Sequence, residues 1–272
     1  MRSLVFLVLL AALLFIPVAE VTMHVARQPA VSFSFSADSD AQRETWLSGR
    51  RVLWQQPASP PPPGGYPAVI LLHGASQRAD TWFHGRDRWS TAQTSFTRMA
   101  LEQGILVVAP ESGRPLFWGP RSWDAFAATL NTSDDLPFIR DILSWLDTLP
   151  VNTSRLSCTG FSSGAFMTSR IARVFPDRFA AVAIHSGADA TAIHLTWRGP
   201  ELDCTMPLRF PPGYPPAMVV HGRHDRVVPA TCGIHLYAEL RRHDIPSALL
   251  LTDDGHIWQA AYNAEILSWL TA

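Results

Sequence analysis

Cysteine is scarce in this chain. Three residues in 272 cannot build a disulfide framework, and their spacings match no zinc-ligand pattern. The ten histidines include no His-x-x-x-His pair on a helical stretch, so no metal site is expected. Charge of one sign is lacking as well. With 22 basic against 23 acidic residues the formal net charge is −1, and no Lys/Arg cluster exists to pair with phosphates, so no nucleic-acid partner is expected. No internal repeat is visible, and one long apolar run stands alone near the N-terminus. Against these absences, 47% of the residues are hydrophobic, which excludes intrinsic disorder and supplies an ample core at this length. Ten tryptophans and 22 prolines point to aromatic-lined loops.

The apolar run Leu4–Val18 follows Arg2 and is closed by Glu20. It is short for a bilayer span and of the right length for the apolar region of a signal peptide, so residues 1–19 are expected to be a signal peptide or an N-terminal membrane anchor. Ala19 suits the position before a cut, whereas Pro17 does not suit the small-residue position two earlier. Either outcome places the rest of the chain outside the cytosol, secreted or tethered through residues 4–18. In that oxidising setting Cys204 and Cys232, both in loop-rich sequence, can pair, although spacing alone does not fix their geometry. Cys158 falls in a predicted buried strand, where a free thiol behaves as a small hydrophobe.

From about residue 66 short apolar runs alternate with helical patterns. Tyr66–Leu72, Ile105–Ala109, Arg155–Thr159, Ala180–Ile184, Ala217–Val220 and Ala248–Leu251 read as strands apolar on both faces. Between them Ser90–Gln103, with a serine cap, Ser133–Leu149, Ser163–Phe175, Thr231–His243 and Ile257–Leu270 read as helices. Val31–Phe35 and Arg51–Gln55 are candidate leading antiparallel strands. The expected fold is one α/β domain, residues 28–272, with a doubly wound, mostly parallel sheet and helices on both faces.

The sharpest local signal is Gly160-Phe161-Ser162-Ser163-Gly164, placed between a predicted strand and a predicted helix. That is the context of a nucleophile elbow, where the serine sits on a strained turn and the two glycines let the backbones pass. A serine nucleophile needs a base, and the base an orienting carboxylate, in the chain order Ser, Asp or Glu, His. Asp225 follows the fifth predicted strand and His256 the sixth, so Ser162, Asp225 and His256 form the candidate triad. His221, His224 and His235 are weaker candidates for the base, and Ser163 is the rival nucleophile. The oxyanion donors are expected from the backbone N–H of Ser163 and of Ala75, with Ser76 close behind Ala75. His73 is read as a support of that loop.

These residues resemble those of the α/β-hydrolase superfamily, and more narrowly the secreted esterases grouped with feruloyl esterases and poly(3-hydroxybutyrate) depolymerases. The resemblance runs from about Tyr66 to Trp258. It rests on LLHGASQ at 71–77, SDDLPFIRDIL at 133–143, the stretch 151–183 around the elbow, HGRHDRVVP at 221–229 and GHIW at 255–258. It implies a hydrolase with Ser162, Asp225 and His256 as triad and no cofactor. Where the family usually has two glycines after the elbow, Gly164 is followed here by Ala165, and the aromatic stretch 115–126 lies where the family's substrate loops vary.

The expected reaction is carboxylic-ester hydrolysis through an acyl-enzyme, on a feruloyl, acetyl-polysaccharide or hydroxyalkanoate ester. A serine peptidase or amidase, and a non-catalytic binding module on the same fold, are the alternatives. Trp258, Trp82, Trp118 and Trp123 are candidates to line an aromatic cleft, with ordinary packing the alternative for each.

Overall fold

The computed structural model describes residues 41–87, 89–113, 121–126, 128, 131–197 and 199–272. The run 4–18, the candidate strand 31–35 and Trp118 lie outside these residues. In chain order the elements are β1 (Arg43–Leu47), β2 (Arg50–Gln55), β3 (Tyr66–Leu72), α1 (Asp80–His84), α2 (Thr91–Glu102), β4 (Leu106–Pro110), α3 (Asp135–Leu146), β5 (Val151–Phe161) and α4 (Ser163–Val174). They continue with β6 (Ala181–His185), β7 (Ile193–Thr196), β8 (Gly199–Leu202), β9 (Ala217–Gly222), α5 (Ala230–Arg242), β10 (Ser247–Thr252) and α6 (Asn263–Thr271).

Eight strands form one sheet in the order β1-β2-β4-β3-β5-β6-β9-β10, and β7 pairs β8 in a separate two-stranded ribbon. From β4 to β10 every pairing is parallel, and β2 joins antiparallel at one side. The apolar runs are continuous because each strand feeds two cores. In β3, Ala68, Ile70 and Leu72 face α3, α4 and α5, while Val69 and Leu71 face α1, α2 and α6. Leu106 and Val108 of β4 join the first core, and Val107 and Ala109 the second. A strand with polar residues on alternate positions would leave one of these layers wet.

The chain runs from β3 to β4 on one side of β3 and then returns to β5 on the other. The C-terminal ends of β3 and β5 therefore flank the point where the winding reverses, the usual place for a site in such a sheet. All six predicted core strands are present, Tyr66–Leu72 with the expected bounds and the other five with shifted ends. The cap at α2 is corrected: the Ser90 side chain caps nothing, and Asp87 instead accepts from the Trp89 and Ser90 N–H groups at 2.7 and 2.9 Å. The last helix is also corrected. It begins at Asn263 rather than at Ile257, because residues 256–259 form a loop fixed by the Trp258 indole and by a bond from Gln259 Nε2 to Thr252 Oγ1. β1, α1 and the β7–β8 ribbon were not anticipated.

Cys204 and Cys232 are joined as a disulfide across 28 positions, tying the segment after β8 to the first turn of α5, and Cys158 is buried and free. Closing a loop of that length restricts the unfolded chain by about 3.6 kcal/mol. The double substitution C204S/C232S is therefore expected to lower unfolding stability by about that amount, read as a lower urea midpoint with a steeper slope, because the freed unfolded chain expands.

Candidate active site

β5 ends at Phe161 and α4 begins at Ser163, which leaves Ser162 on the turn between them with φ 55° and ψ −117°. This is left-handed backbone in a residue with a side chain, and it is tolerated because the neighbouring glycines remove bulk. A Cβ on Gly160 would lie 2.3 Å from the Gly164 carbonyl oxygen. One on Gly164 would lie 2.2 Å from the carbonyl oxygen of Leu72 at the end of β3. The Ser162 N–H donates to the His185 carbonyl at 3.0 Å, which ties the turn to the end of β6.

Two further strand ends bring the partners. The Ser162 hydroxyl lies 2.9 Å from His256 Nε2, and His256 Nδ1 lies 2.6 Å from Asp225 Oδ2. With Nδ1 donating to the carboxylate, Nε2 is the lone-pair nitrogen that faces the serine. The other carboxylate oxygen, Oδ1, accepts from the N–H groups of Val227 and Val228, each at 2.8 Å. His221 Nε2 stands 3.5 Å from Oδ2 and donates to the Val228 carbonyl at 2.9 Å. Burial alone would push the Asp225 carboxyl up, but the hydrogen bonds from His221, His256 and Val228 outweigh it and hold the group well below the usual carboxylate range. Gly222, at the end of β9, lets the His256 loop approach, since a Cβ there would meet the Asp254 and Gly255 carbonyls at 2.4 Å.

The sequence-derived Ser162, Asp225 and His256 are thus brought together. His224 is exposed, and His235 bonds the Met206 carbonyl at 2.8 Å, away from this chain of bonds. Ser163 is not placed as a nucleophile: its Oγ lies 2.7 Å from Ser122 Oγ and accepts from the Trp123 N–H at 3.1 Å.

In the loop after β3 most donors are spent. The Gly74 N–H bonds Gln77 Oε1 at 2.8 Å, the Ser76 N–H bonds the Arg121 carbonyl at 2.8 Å, and the Gln77 N–H bonds the Gly74 carbonyl at 3.1 Å. The Ala75 N–H has no acceptor among the described residues, which removes Ser76 and leaves Ala75. Ser163 is the first residue of α4, so its N–H also lacks an acceptor within the helix, and it carries the positive end of the helix dipole.

The tryptophans require correction. Trp82, Trp123 and Trp258 are all buried, as the packing alternative for each expects. The Trp258 ring stacks on His185 at 4.5 Å and meets Trp82 edge-on at 5.0 Å, while its Nε1–H donates to Asn263 Oδ1 at 2.8 Å. Trp123 donates its Nε1–H to the His73 carbonyl at 2.9 Å. A ring two residues from His256 in sequence is therefore packed into the core against His185 and Trp82. The ring against the base is Phe161, 5.0 Å from His256, which the sequence pattern did not single out. Among the described residues no group of three or more His, Cys, Asp or Glu side chains can hold a metal ion.

Compared with known proteins, the chain matches no family profile. It is 31% identical over 251 residues to the poly(3-hydroxyoctanoate) depolymerase of Pseudomonas fluorescens, covering 86% of this chain and 85% of that one. It is 28% identical over 126 residues to a probable acetylxylan esterase A of Aspergillus clavatus, covering 45% of this chain and 37% of that one. Among solved structures, an acetyl xylan esterase from Aspergillus awamori superposes with a TM-score of 0.63 at 15% identity, over 84% of this chain and 99% of that one, a likeness of fold.

Two histidines near the site are locked neutral. His73 is buried, with Nδ1 donating to the Gly74 carbonyl at 2.8 Å and Nε2 accepting from the Ser112 N–H at 3.1 Å, and burial pulls it down to about 4. Burial, with repulsion from His221 and His256, pulls His185 down to about 3. In the unfolded chain both regain the ordinary value of about 6.5, so only the unfolded state takes up protons just below it. Their stabilising contribution is whole above about pH 6.5 and is lost as the pH falls toward those lowered values. Urea unfolding between about pH 7 and pH 5 should show stability falling on acidification, each histidine steepening the slope by up to about 1.4 kcal/mol per pH unit. A flat or opposite slope would contradict the buried neutral assignment.

Proposed function

Because the chain belongs to the carboxylic-ester hydrolases of the α/β-hydrolase superfamily, we propose that Ser162, His256 and Asp225 are its catalytic triad, with the Ser163 and Ala75 N–H groups as its oxyanion donors. The observation that carries this reading is the unbroken chain from Ser162 Oγ through His256 to Asp225, at 2.9 and 2.6 Å.

Ser162 Oγ attacks the ester carbonyl while its proton passes to His256 Nε2. The carbonyl oxygen takes up the electron pair and is held by the two backbone N–H groups. Collapse expels the alcohol, which receives the proton from His256, and leaves an acyl-Ser162. Water, deprotonated by the same nitrogen, attacks the acyl carbonyl and releases the acid and free Ser162. Asp225 fixes the ring and offsets its charge while it is protonated, and its own bonds to Val227 and Val228 keep it ionised throughout.

The substrate class we propose is an aliphatic hydroxyalkanoate ester. Its support is the likeness to the depolymerase, which extends over most of both chains, whereas the acetylxylan esterase matches over less than half of this one. The burial of Trp82, Trp123 and Trp258 supports it too, because a tryptophan platform for sugar rings is not built from them. Action outside the cytosol is supported by the Cys204–Cys232 bridge and by the run 4–18. Among the described residues no helix is long and apolar enough to cross a membrane.

Hydrolysis of p-nitrophenyl acetate by the protein and by Ser162→Ala tests the chemistry. The substitution should lower kcat by about 10⁵–10⁶, leaving a folded protein. Across a matched panel, 3-hydroxyalkanoate oligomers should give higher kcat/KM than feruloyl or acetyl-xylan esters, and amides should give none. A preference for feruloyl or acetyl-xylan esters would overturn the substrate class, and amide cleavage without ester cleavage the reaction.

A further inference from the structure

We propose that Arg121-Ser122-Trp123 is a positioning clamp that fixes the two halves of the oxyanion hole relative to each other, with the Ser122 and Ser163 hydroxyls as its closing pair. The inference rests on the triad reading above and deepens it.

The two donors sit on separate elements. Ala75 is in the loop after β3, and Ser163 opens α4. The tight approach of Gly164 to Leu72 sets how near these elements come, but a steric contact only resists compression. Something must also hold them together, because an oxyanion donor is worth its full effect only when placed within hydrogen-bond reach of the developing charge.

Three consecutive residues do this with four hydrogen bonds. Toward the β3 loop, the Arg121 carbonyl accepts from the Ser76 N–H at 2.8 Å, and Trp123 Nε1–H donates to the His73 carbonyl at 2.9 Å. Toward the elbow, Ser122 Oγ lies 2.7 Å from Ser163 Oγ, and the Trp123 N–H donates to Ser163 Oγ at 3.1 Å. These bonds engage His73 and Ser76, on either side of Ala75, and the side chain of Ser163, and leave the Ala75 and Ser163 N–H groups without an acceptor among the described residues.

The clamp is itself anchored. The Asp124 N–H donates to Asp135 Oδ2 at 2.6 Å, the Ser133 hydroxyl donates to the Asp124 carbonyl at 2.8 Å, and Asp135 Oδ1 is paired with Arg50 at 2.6 Å. Asp135 is nearly fully buried, so this anchor is shielded from water. Ser163 Oγ, the group that made Ser163 a rival nucleophile, thereby gains a role through its neighbours rather than through the substrate.

Ser122→Ala, Ser163→Ala and their double variant test the proposal, with Ser122→Thr as the variant that keeps the hydroxyl. Each alanine variant should lower kcat on p-nitrophenyl acetate by about 10- to 100-fold with KM within about twofold, the scale of a small misplacement of catalytic groups. Inhibition by an aryl trifluoromethyl ketone, whose hemiketal carries the same oxyanion, should weaken by the same factor. The double variant should be no slower than the slower single one, since both remove one shared bond, and Ser122→Thr should recover most of the rate. Wild-type kcat in both single variants, losses that multiply in the double variant, or a fall in kcat without weaker inhibition would each overturn the clamp. Failure of this kind leaves the triad intact, because Ser162→Ala still separates active from inactive protein. A wild type without esterase activity would remove both.

Discussion

The site depends on one close approach, that of the N-terminus of α4 to the carboxyl end of β3. Gly164 lies where a Cβ would fall 2.2 Å from the Leu72 carbonyl oxygen, and Gly160 lies against Gly164 in the same way. With both side chains absent the helix seats directly after the strand. The turn residue between them, Ser162, is then forced into left-handed backbone with its hydroxyl outward. The same seating brings the loop that carries Ala75 beside the first turn of α4. The reversal of winding between β3 and β5 supplies the open space in front of them. Steric constraint, rather than attraction, thus decides where the Ser162 hydroxyl points, and hydrogen bonds decide where His256 and Asp225 stay.

Electrostatics then sorts the ionisable groups. Asp225 is held as a carboxylate by donors on both of its oxygens. His73 and His185 are held neutral by burial, one in the loop after β3 and one at the end of β6. Neither can compete for the serine proton. His256 is the ring that has Ser162 on one nitrogen and Asp225 on the other. Phe161 packs against its ring, and two residues further along the chain Trp258 stacks on His185 and is braced by Trp82 and Phe96. Its indole bond to Asn263 fixes the loop that follows His256.

Much of this was legible in the sequence because the signals were physical. Strands such as Tyr66–Leu72 are apolar at every position because both faces are covered, whereas a strand with one wet face would alternate. The spacing of Gly160, Ser162 and Gly164 encodes the close approach, and the order Ser, Asp, His follows the chain order of β5, β9 and β10, whose carboxyl ends lie at the same edge of the sheet. What was not legible depends on which way a side chain turns or on contacts between distant positions. Trp258 follows His256 by two residues, yet its ring turns into the core formed by α1, α2 and α6. The start of α6 was misplaced because Trp258 and Gln259 are apolar or amphipathic, and so continue a helical pattern that their own bonds to Asn263 and Thr252 interrupt. Ser122 reaches Ser163 across 41 positions, and no local pattern marks a hydroxyl that finds its partner so far along the chain.

The central claim, that the bond chain through His256 makes Ser162 the one activated serine, is tested most directly by fluorophosphonate labelling of the intact protein, read by mass spectrometry and peptide mapping. The expected result is a single adduct per chain on Ser162, formed rapidly in the wild type and lost in His256→Ala. No adduct on the folded protein, or an adduct on Ser163 or Ser122, would contradict it.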